Sequence, residues 1–122
     1  MKRFFFIATL AVLILCFNSC EEDRWGYDNK VIFSANGGTE DVDGDNSIYH
    51  LSIGDYNGNE KGAVEEAGVM TVTYNWLTAT AVKGDNEIIL IAAPNKTGKK
   101  RKLYVYGAIN NRSTDITVIQ DK

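Results

Sequence analysis

The chain has 122 residues, of which 44% are hydrophobic, and it carries a formal net charge of −3 with a single proline and 11 glycines. This length fits one small domain, and an acidic balance does not favour binding to nucleic acid. Two cysteines in the whole chain exclude a disulfide-rich framework.

The first 19 residues have the pattern of an export signal. Lys2 and Arg3 precede an apolar run, Phe4 to Phe17. This run is shorter than the roughly 20 residues of a membrane-spanning helix, and it fits the apolar part of a cleavable signal peptide. Ser19 is the small residue that a signal peptidase needs before its cut, so Cys20 is predicted to begin the mature chain.

The segment Phe17-Asn18-Ser19-Cys20 resembles the lipobox of bacterial lipoproteins, and the acidic residues Glu21 to Asp23 resemble the surface-export signal of such proteins in gut Gram-negative bacteria. The resemblance implies that Cys20 is lipidated and that the protein is held at the outer membrane, facing the cell surface. Two or three acyl chains anchor durably, because each buried CH₂ contributes about 0.8 kcal/mol. The alternative is an ordinary secreted protein whose Cys20 is a free thiol or is removed.

Three segments follow from this reasoning: a signal peptide over residues 1–19, a lipidated tether over 20–29 and one domain over 30–122. The tether is highly charged and has no strand pattern. Removal of the signal takes away Lys2, Arg3 and Cys16, leaving 11 basic against 16 acidic side chains, a formal charge of −5. With one cysteine left, neither an internal disulfide nor a zinc–thiolate site is possible.

Short apolar runs predict β-strands along the domain; most have apolar residues at alternate positions, Glu87–Ala92 is apolar on both faces as in a central strand, and no segment has a helical stripe. In chain order the runs are Lys30–Ser34, Ser47–Ile53, Met70–Tyr74, Glu87–Ala92, Leu103–Tyr106 and Asp115–Val118. Turns rich in Gly, Asn and Asp separate them, and the longest stretch without a strand pattern is Gly54–Gly68. This spacing predicts an all-β fold, an immunoglobulin-like β-sandwich of about seven antiparallel strands.

Several short motifs resemble the BACON domain, an immunoglobulin-like sandwich of surface proteins in glycan-degrading gut bacteria. They span roughly residues 30 to 120 and are Phe33–Thr39 with its Gly-Gly turn, Asn75–Thr78, the strand Glu87–Ala92, Asn95–Gly98, the basic run to Arg101 with the strand that follows it, and the ending Ile116–Gln120. The family commonly has an earlier tryptophan, which is missing here where Gly54–Gly68 intervenes. The resemblance implies the sandwich fold and, through the family's name, carbohydrate contact, although many members look like spacers or partner modules.

Aromatic side chains are the candidate ligand-binding residues, because sugars stack their C–H faces on rings. Tyr104 and Tyr106 share one face of a predicted strand, opposite Leu103 and Val105, and would form a platform if that face is exposed. Tyr56 in the Gly54–Gly68 segment is a second candidate. Trp76 is a third, with a packing role as the simpler interpretation.

Charged residues give weaker signals. Asp41, Asp43 and Asp45 alternate as at the start of a calcium loop, but Asn46 replaces the EF-hand glycine, so a plain acidic hairpin is the simpler interpretation. No metal and no cofactor are predicted. Glu65 and Glu66 are expected on a solvated loop face. The basic run Lys99–Lys102 is expected to be a charged turn entering an edge strand, and contact with an anionic glycan or lipid headgroup is the alternative.

Catalysis is not predicted. His50 is the only histidine and is expected on an outward strand face together with Ile48 and Ser52, and no serine lies in a nucleophile-elbow motif. The sequence therefore predicts a non-catalytic surface lipoprotein acting as a carbohydrate-contacting or spacer module in glycan utilisation. The alternative is an assembly subunit that docks another outer-membrane protein through an edge strand or the Gly54–Gly68 segment.

Overall fold

The computed structural model describes residues 29–109 and 112–122, and these residues form two five-stranded β-sheets. The strands are β1 (Lys30–Phe33), β2 (Gly38–Asp43), β3 (His50–Gly54), β4 (Glu60–Gly62), β5 (Val64–Glu66), β6 (Val69–Tyr74), β7 (Leu77–Val82), β8 (Glu87–Ala92), β9 (Arg101–Ile109) and β10 (Arg112–Gln120). No helical stretch within these residues has the length and hydrophobicity needed to cross a bilayer.

The first sheet has the strand order β1-β10-β9-β3-β4 and the second β2-β8-β7-β6-β5. This arrangement confirms the predicted all-β sandwich. It differs in strand number, ten rather than about seven, and in one pairing: β1 runs parallel to β10, with Val31 opposite Val118. These two strands lie near opposite ends of the domain, so no hairpin constrains them to run antiparallel.

The core lies between the sheets and is built from alternate positions of each strand. In the second sheet Ile88 and Leu90 are fully buried, while Ile91 on the other face is 43% exposed. In the first sheet Leu103 and Val105 point inward, as their spacing predicts. The period-two pattern is therefore the signal that places the core.

Three strands have weak patterns, because in β2 only Val42 is buried and in β4 and β5 no residue is. β7 alternates clearly, with Leu77, Ala79 and Ala81 buried, but the motif Asn75–Thr78 indicates only its beginning. The Gly54–Gly68 segment is largely regular, because it contains β4 and β5.

Three local expectations are wrong. β9 lies between β10 and β3, so the basic run enters an interior strand and not an edge strand. Glu65 and Glu66 lie in strand β5, pointing to opposite faces, and not in a loop. Ile48 is fully buried although it was assigned to the outward face with His50, because β3 begins only at His50 and the alternation does not extend before it.

Candidate functional site

Tyr104 and Tyr106 lie on the outer face of the first sheet, which we call the tyrosine face. Both rings are half-buried, whereas Leu103 and Val105 between and beside them are 3% and 0% exposed. The strand alternation that buries the aliphatic pair directs the tyrosine pair outward. The two predicted platform residues therefore share a face that the second sheet does not cover.

Neighbouring strands support Tyr106 on both sides. A side chain at Gly54 of β3 would lie 3.0 Å from Cε2 of Tyr106, so the absence of a Cβ at Gly54 leaves room for the ring. Ser52 on β3 and Asp115 on β10 lie directly opposite Tyr106 in the sheet. Burial, followed by the charges of Asp115 and Glu60, raises the pKa of the Tyr106 phenol. The hydroxyl therefore stays protonated and available as a hydrogen-bond donor.

Tyr106 also lines a cavity of about 550 Å³ at the edge of the sandwich, which we call the edge cavity. Sites for small molecules typically enclose about 300–1,000 Å³, so its size fits such a ligand. The edge cavity combines aromatic rings, hydroxyls and carboxylates, and its polar lining residues are Tyr49, His50, Ser52, Glu60, Glu65 and Tyr106. Between them lie small or apolar groups, among them Leu51, Ala63, Met70 and Ala108.

The edge cavity exists because the chain leaves the first sheet and enters the second. β4 pairs with β3 only over Ser52–Gly54, and the Ala63 amide then donates to the carbonyl of Leu51 at 2.9 Å. The next strand, β5, joins the second sheet, where Glu65 lies opposite Met70. The beginning of β3 is thus not covered by β4, and residues of both sheets meet around the opening.

Two carboxylates of the edge cavity are held by partners. The Ser52 hydroxyl donates to Oε2 of Glu60 at 2.6 Å. Lys83 Nζ lies 3.3 Å from Oε1 of Glu65 in an exposed ion pair. His50 also lines the edge cavity. The Ser52 hydroxyl donates its hydrogen to Glu60 and not to His50, so these two residues do not form a Ser–His dyad.

Tyr56 lies apart from the edge cavity, in the turn between β3 and β4, and its side chain is 86% exposed. Asp55 organises this turn by accepting hydrogen bonds from the backbone amides of Asn57 and Asn59. The Asn59 side-chain amide and the Tyr74 hydroxyl also donate to Asp55, at 3.1 and 2.8 Å, and these two bonds lower the pKa of the Asp55 carboxyl.

Trp76 also lies away from the edge cavity, in the turn between β6 and β7. Its half-buried ring is covered by the Arg101 guanidinium, 4.9 Å from the ring centroid. The Arg101 Nε donates to Oε1 of the fully buried Gln120, whose Nε2 donates to the carbonyls of Ser34 and Ala93. Trp76 therefore takes part in packing and polar bonding at the end of the domain where β9 begins.

Asn95 completes this group, and we call Asn95, Arg101 and Gln120 the amide cluster. The Asn95 Nδ2 donates to the carbonyls of Lys99 and Asp121, and its Oδ1 accepts from Thr97. Asn95 is 7% exposed, so nearly all of its polar surface is satisfied by protein. The amide cluster bonds the ends of β1, β8 and β10 together, which is a structural task.

The aspartates considered for calcium lie near the second sheet's outer edge. Asp41 and Asp43 lie on β2, and Asp45 lies in the turn that follows. Across residues 29–109 and 112–122, no group of three or more His, Cys, Asp or Glu side chains is arranged to hold a metal ion. Burial and the charges of Asp41 and Asp43 raise the pKa of Glu87 on the adjacent strand.

Sequence reasoning missed most of the edge cavity. Tyr49, Ser52, Glu60 and Glu65 were not chosen as binding residues, because their positions relative to one another depend on where the chain crosses between sheets. Cys20 and the tether residues before Asn29 lie outside the described residues.

The solved structures provide the remaining comparison. One similar structure is an NMR structure of a protein from Bacteroides thetaiotaomicron, with a TM-score of 0.58, 19% identity, and coverage of 81% of this chain and 80% of that chain. Another is a GH5 xyloglucanase of Bacteroides ovatus in complex with a XXXG heptasaccharide, with a TM-score of 0.47 and 18% identity. That match covers 76% of this chain but 17% of the xyloglucanase. No protein-family model matches this chain, and no curated protein matches it.

At 19% identity, the similarity to the Bacteroides thetaiotaomicron protein concerns the fold alone. The fold places this chain in the class of all-β sandwich domains.

Proposed function

We propose that this chain is a non-catalytic, lipid-anchored surface protein whose domain contacts carbohydrate through Tyr104 and Tyr106. One observation carries the carbohydrate part: the two tyrosines share an uncovered sheet face, and Tyr106 also lines the edge cavity beside Ser52 and Glu60. An aromatic ring next to hydroxyl and carboxylate groups offers a sugar both an apolar surface and hydrogen-bond partners.

The anchoring part of the proposal comes from the sequence. The Phe17–Cys20 lipobox and the acidic residues that follow support lipidation of Cys20 and export to the cell surface of the outer membrane. The BACON resemblance supports a role in glycan utilisation, either as a contact module or as a spacer. Residues 20–29 then serve as the tether between membrane and domain.

A glycan-array screen tests the carbohydrate role, with the full-length protein purified in detergent. We expect binding to at least one glycan, and we expect Tyr104→Ala/Tyr106→Ala to weaken it by at least about tenfold, since burying one aromatic ring is worth about 1.5–3 kcal/mol. Tyr56→Ala is the comparison variant and should cause a smaller loss, because its ring has no supporting neighbours in the turn. Binding that is unaffected by the double substitution would contradict the role of the tyrosine face.

Cell fractionation tests the anchor. Cys20→Ser removes the thiol that the lipid would modify, so we expect the variant to leave the membrane fraction. If the Cys20→Ser protein stays membrane-associated and accessible to protease on intact cells, the lipid anchor is not at Cys20.

A second candidate function is docking of another outer-membrane protein. The observation that favours it is β5, a three-residue edge strand within Gly54–Gly68 that carries Val64 at 73% exposure. Val69 and Val82 lie beside it on the outer face at 39% and 49% exposure. Edge pairing by a partner strand would use this region, and Val64→Lys should abolish co-purification of such a partner while leaving glycan binding unchanged.

A further inference from the structure

The lining of the edge cavity carries acidic side chains. Glu60 and Glu65 contribute carboxylates to its lining, while none of the described residues that line it is a lysine or an arginine. Lys83 Nζ forms an ion pair with Glu65 at 3.3 Å. Asp115 adds a further negative charge on the other side of Tyr106. A ligand in the edge cavity therefore meets a negative surface.

The polar groups around Tyr106 are suited to hydroxyls. Ser52 occupies Oε2 of Glu60, but an ionised carboxylate accepts about four hydrogen bonds, so Glu60 retains acceptor capacity towards the edge cavity. The Tyr106 phenol supplies a donor in the same cavity. A sugar hydroxyl both donates and accepts, so neighbouring hydroxyls on one sugar can bond to both groups while the ring contacts Tyr106.

From these observations we infer that the edge cavity selects uncharged glycan chains and rejects those that carry carboxylate or sulfate groups; this inference rests on the proposed carbohydrate role of the tyrosine face. Hydroxyls gain charge-assisted bonds to Glu60. An acidic sugar instead brings a like charge close to Glu60 and Glu65, which raises the free energy of the complex. Selection thus arises from repulsion of one ligand class as well as attraction of the other.

The test measures affinities of the full-length protein, purified in detergent, for paired polysaccharides: galactan against polygalacturonan, and arabinoxylan against glucuronoxylan. Neutral oligosaccharides from the array screen are included, together with their sulfated forms. We expect the acidic or sulfated member of each pair to bind at least tenfold more weakly than its neutral partner. We also expect the difference to shrink in high salt, where exposed charges are screened.

The double variant Glu60→Gln/Glu65→Gln removes both charges but keeps the side-chain sizes. It should weaken binding of the neutral glycan by about tenfold, the worth of one hydrogen bond to a charged group. It should also reduce the ratio of the affinity for the neutral glycan to that for the acidic glycan, because the repulsion disappears and Lys83 loses its ion pair with Glu65. Glu66→Gln is the control, since it removes one carboxylate charge from the opposite face of β5 and should alter neither affinity nor ratio.

The possible failures are distinct. If Tyr104→Ala/Tyr106→Ala abolishes binding but acidic glycans bind as tightly as neutral ones, the tyrosine face binds glycans and charge selection is wrong. The same conclusion follows if the Glu60→Gln/Glu65→Gln ratio equals that of the parent protein. If no glycan of either kind binds the parent protein, both the proposed function and this inference are wrong.

Discussion

The two ends of the domain differ in how their polar side chains are hydrogen-bonded. At one end the amide cluster bonds Asn95, Arg101 and Gln120 to backbone carbonyls, and Gln120 is fully buried with all of its amide atoms bonded. At the other end the edge cavity leaves Ser52, Glu60 and Tyr106 open to a ligand. Thr114 lies near this end, opposite Gly107 on β9. The buried hydroxyl of Thr114 has no hydrogen-bond partner among the described residues.

The comparison separates motifs that maintain the fold from residues that are free to bind. Trp76, Asn95, Arg101 and Gln120 are among the residues by which the chain resembles the BACON domain, and all four lie at or beside the amide cluster. These motifs therefore describe how the sandwich is closed at one end. Apart from Tyr106 and its neighbours on β9, which belong to the strand that follows Arg101, the residues of the edge cavity lie outside those motifs.

The largest effect is expected at the amide cluster. Gln120→Leu keeps the side-chain size but leaves the Arg101 Nε and the carbonyls of Ser34 and Ala93 without this partner, so the free energy of unfolding should fall by about 3 kcal/mol. At the edge cavity Ser52→Ala removes an exposed hydrogen bond and should cost about 0.5 kcal/mol or less. Urea unfolding of both variants makes the comparison, and equal losses would show that the two ends do not differ in this way.

Gly37 and Gly58 allow a comparison between a tightly packed turn and an open one. Gly37 and Gly58 both have positive φ, +82° and +91°, but a Cβ at Gly37 would collide with the carbonyl oxygen of Ala92, whereas at Gly58 nothing lies within 4 Å. Gly37→Ala should lower the free energy of unfolding by about 2 kcal/mol, and Gly58→Ala by about 1 kcal/mol from backbone strain alone. Thermal unfolding with calorimetry measures both, and a larger loss at Gly58 would contradict the tighter packing at the Gly37 turn.

Removal of the unpaired hydroxyl should stabilise the protein. Thr114→Val replaces a buried polar group that has no partner, so the free energy of unfolding should rise by about 1 kcal/mol. Thr78→Val is the matched control, because the Thr78 hydroxyl lies 2.9 Å from that of Thr73 and its loss should not stabilise. A loss of stability in Thr114→Val, measured by urea unfolding, would mean that the hydroxyl is bonded in solution.

Acid should affect the Asp55 turn and the amide cluster unequally. The hydrogen bonds from the Asn59 amide and the Tyr74 hydroxyl hold the pKa of Asp55 below its ordinary value of 3.8. The stabilisation by Asp55 is therefore present above the unfolded-state pKa and is lost as the pH falls through the lower folded-state pKa. The amides of Asn95 and Gln120 do not titrate.

Hydrogen-exchange protection factors test this difference. Below about pH 3.8 the amides of Asn57 and Asn59, which donate to Asp55, should lose protection before the amide of Thr97, which donates to Asn95. In Asp55→Asn the Asn57 and Asn59 amides should no longer respond to pH. If the amides of Asn57, Asn59 and Thr97 lost protection at the same pH in the parent protein, the Asp55 turn would not open independently.

The fold could be predicted wherever one face of a strand is buried and the other is not. β6 has clear alternation, and the run Glu87–Ala92, which is apolar on both faces, has as strand β8 the bounds that the sequence predicts. β2 could not be predicted in this way, because as an edge strand it buries only Val42. β4 and β5 are three residues each, and in the sequence their charged and glycine residues are indistinguishable from a loop.

The candidate site was half predictable for a related reason. Tyr104 and Tyr106 lie two residues apart in one strand, so their common face follows from local periodicity. Glu60 and Glu65 reach the same cavity only because the chain changes sheets at Ala63, and no local pattern encodes that crossing. The sequence thus indicated the tyrosine face and not the carboxylates beside it.

The parallel pairing of β1 with β10 determines how the domain resists force. Hydrogen bonds at Asn29 and Phe33 mark the two ends of this pairing, donated by Thr117 and Asp121 at 3.0 Å each. A pull on the chain before Asn29 that is directed along β1 acts parallel to its pairing with β10 and not across it. The load is then shared by the whole β1–β10 ladder in shear, and the strand cannot be peeled away one bond at a time.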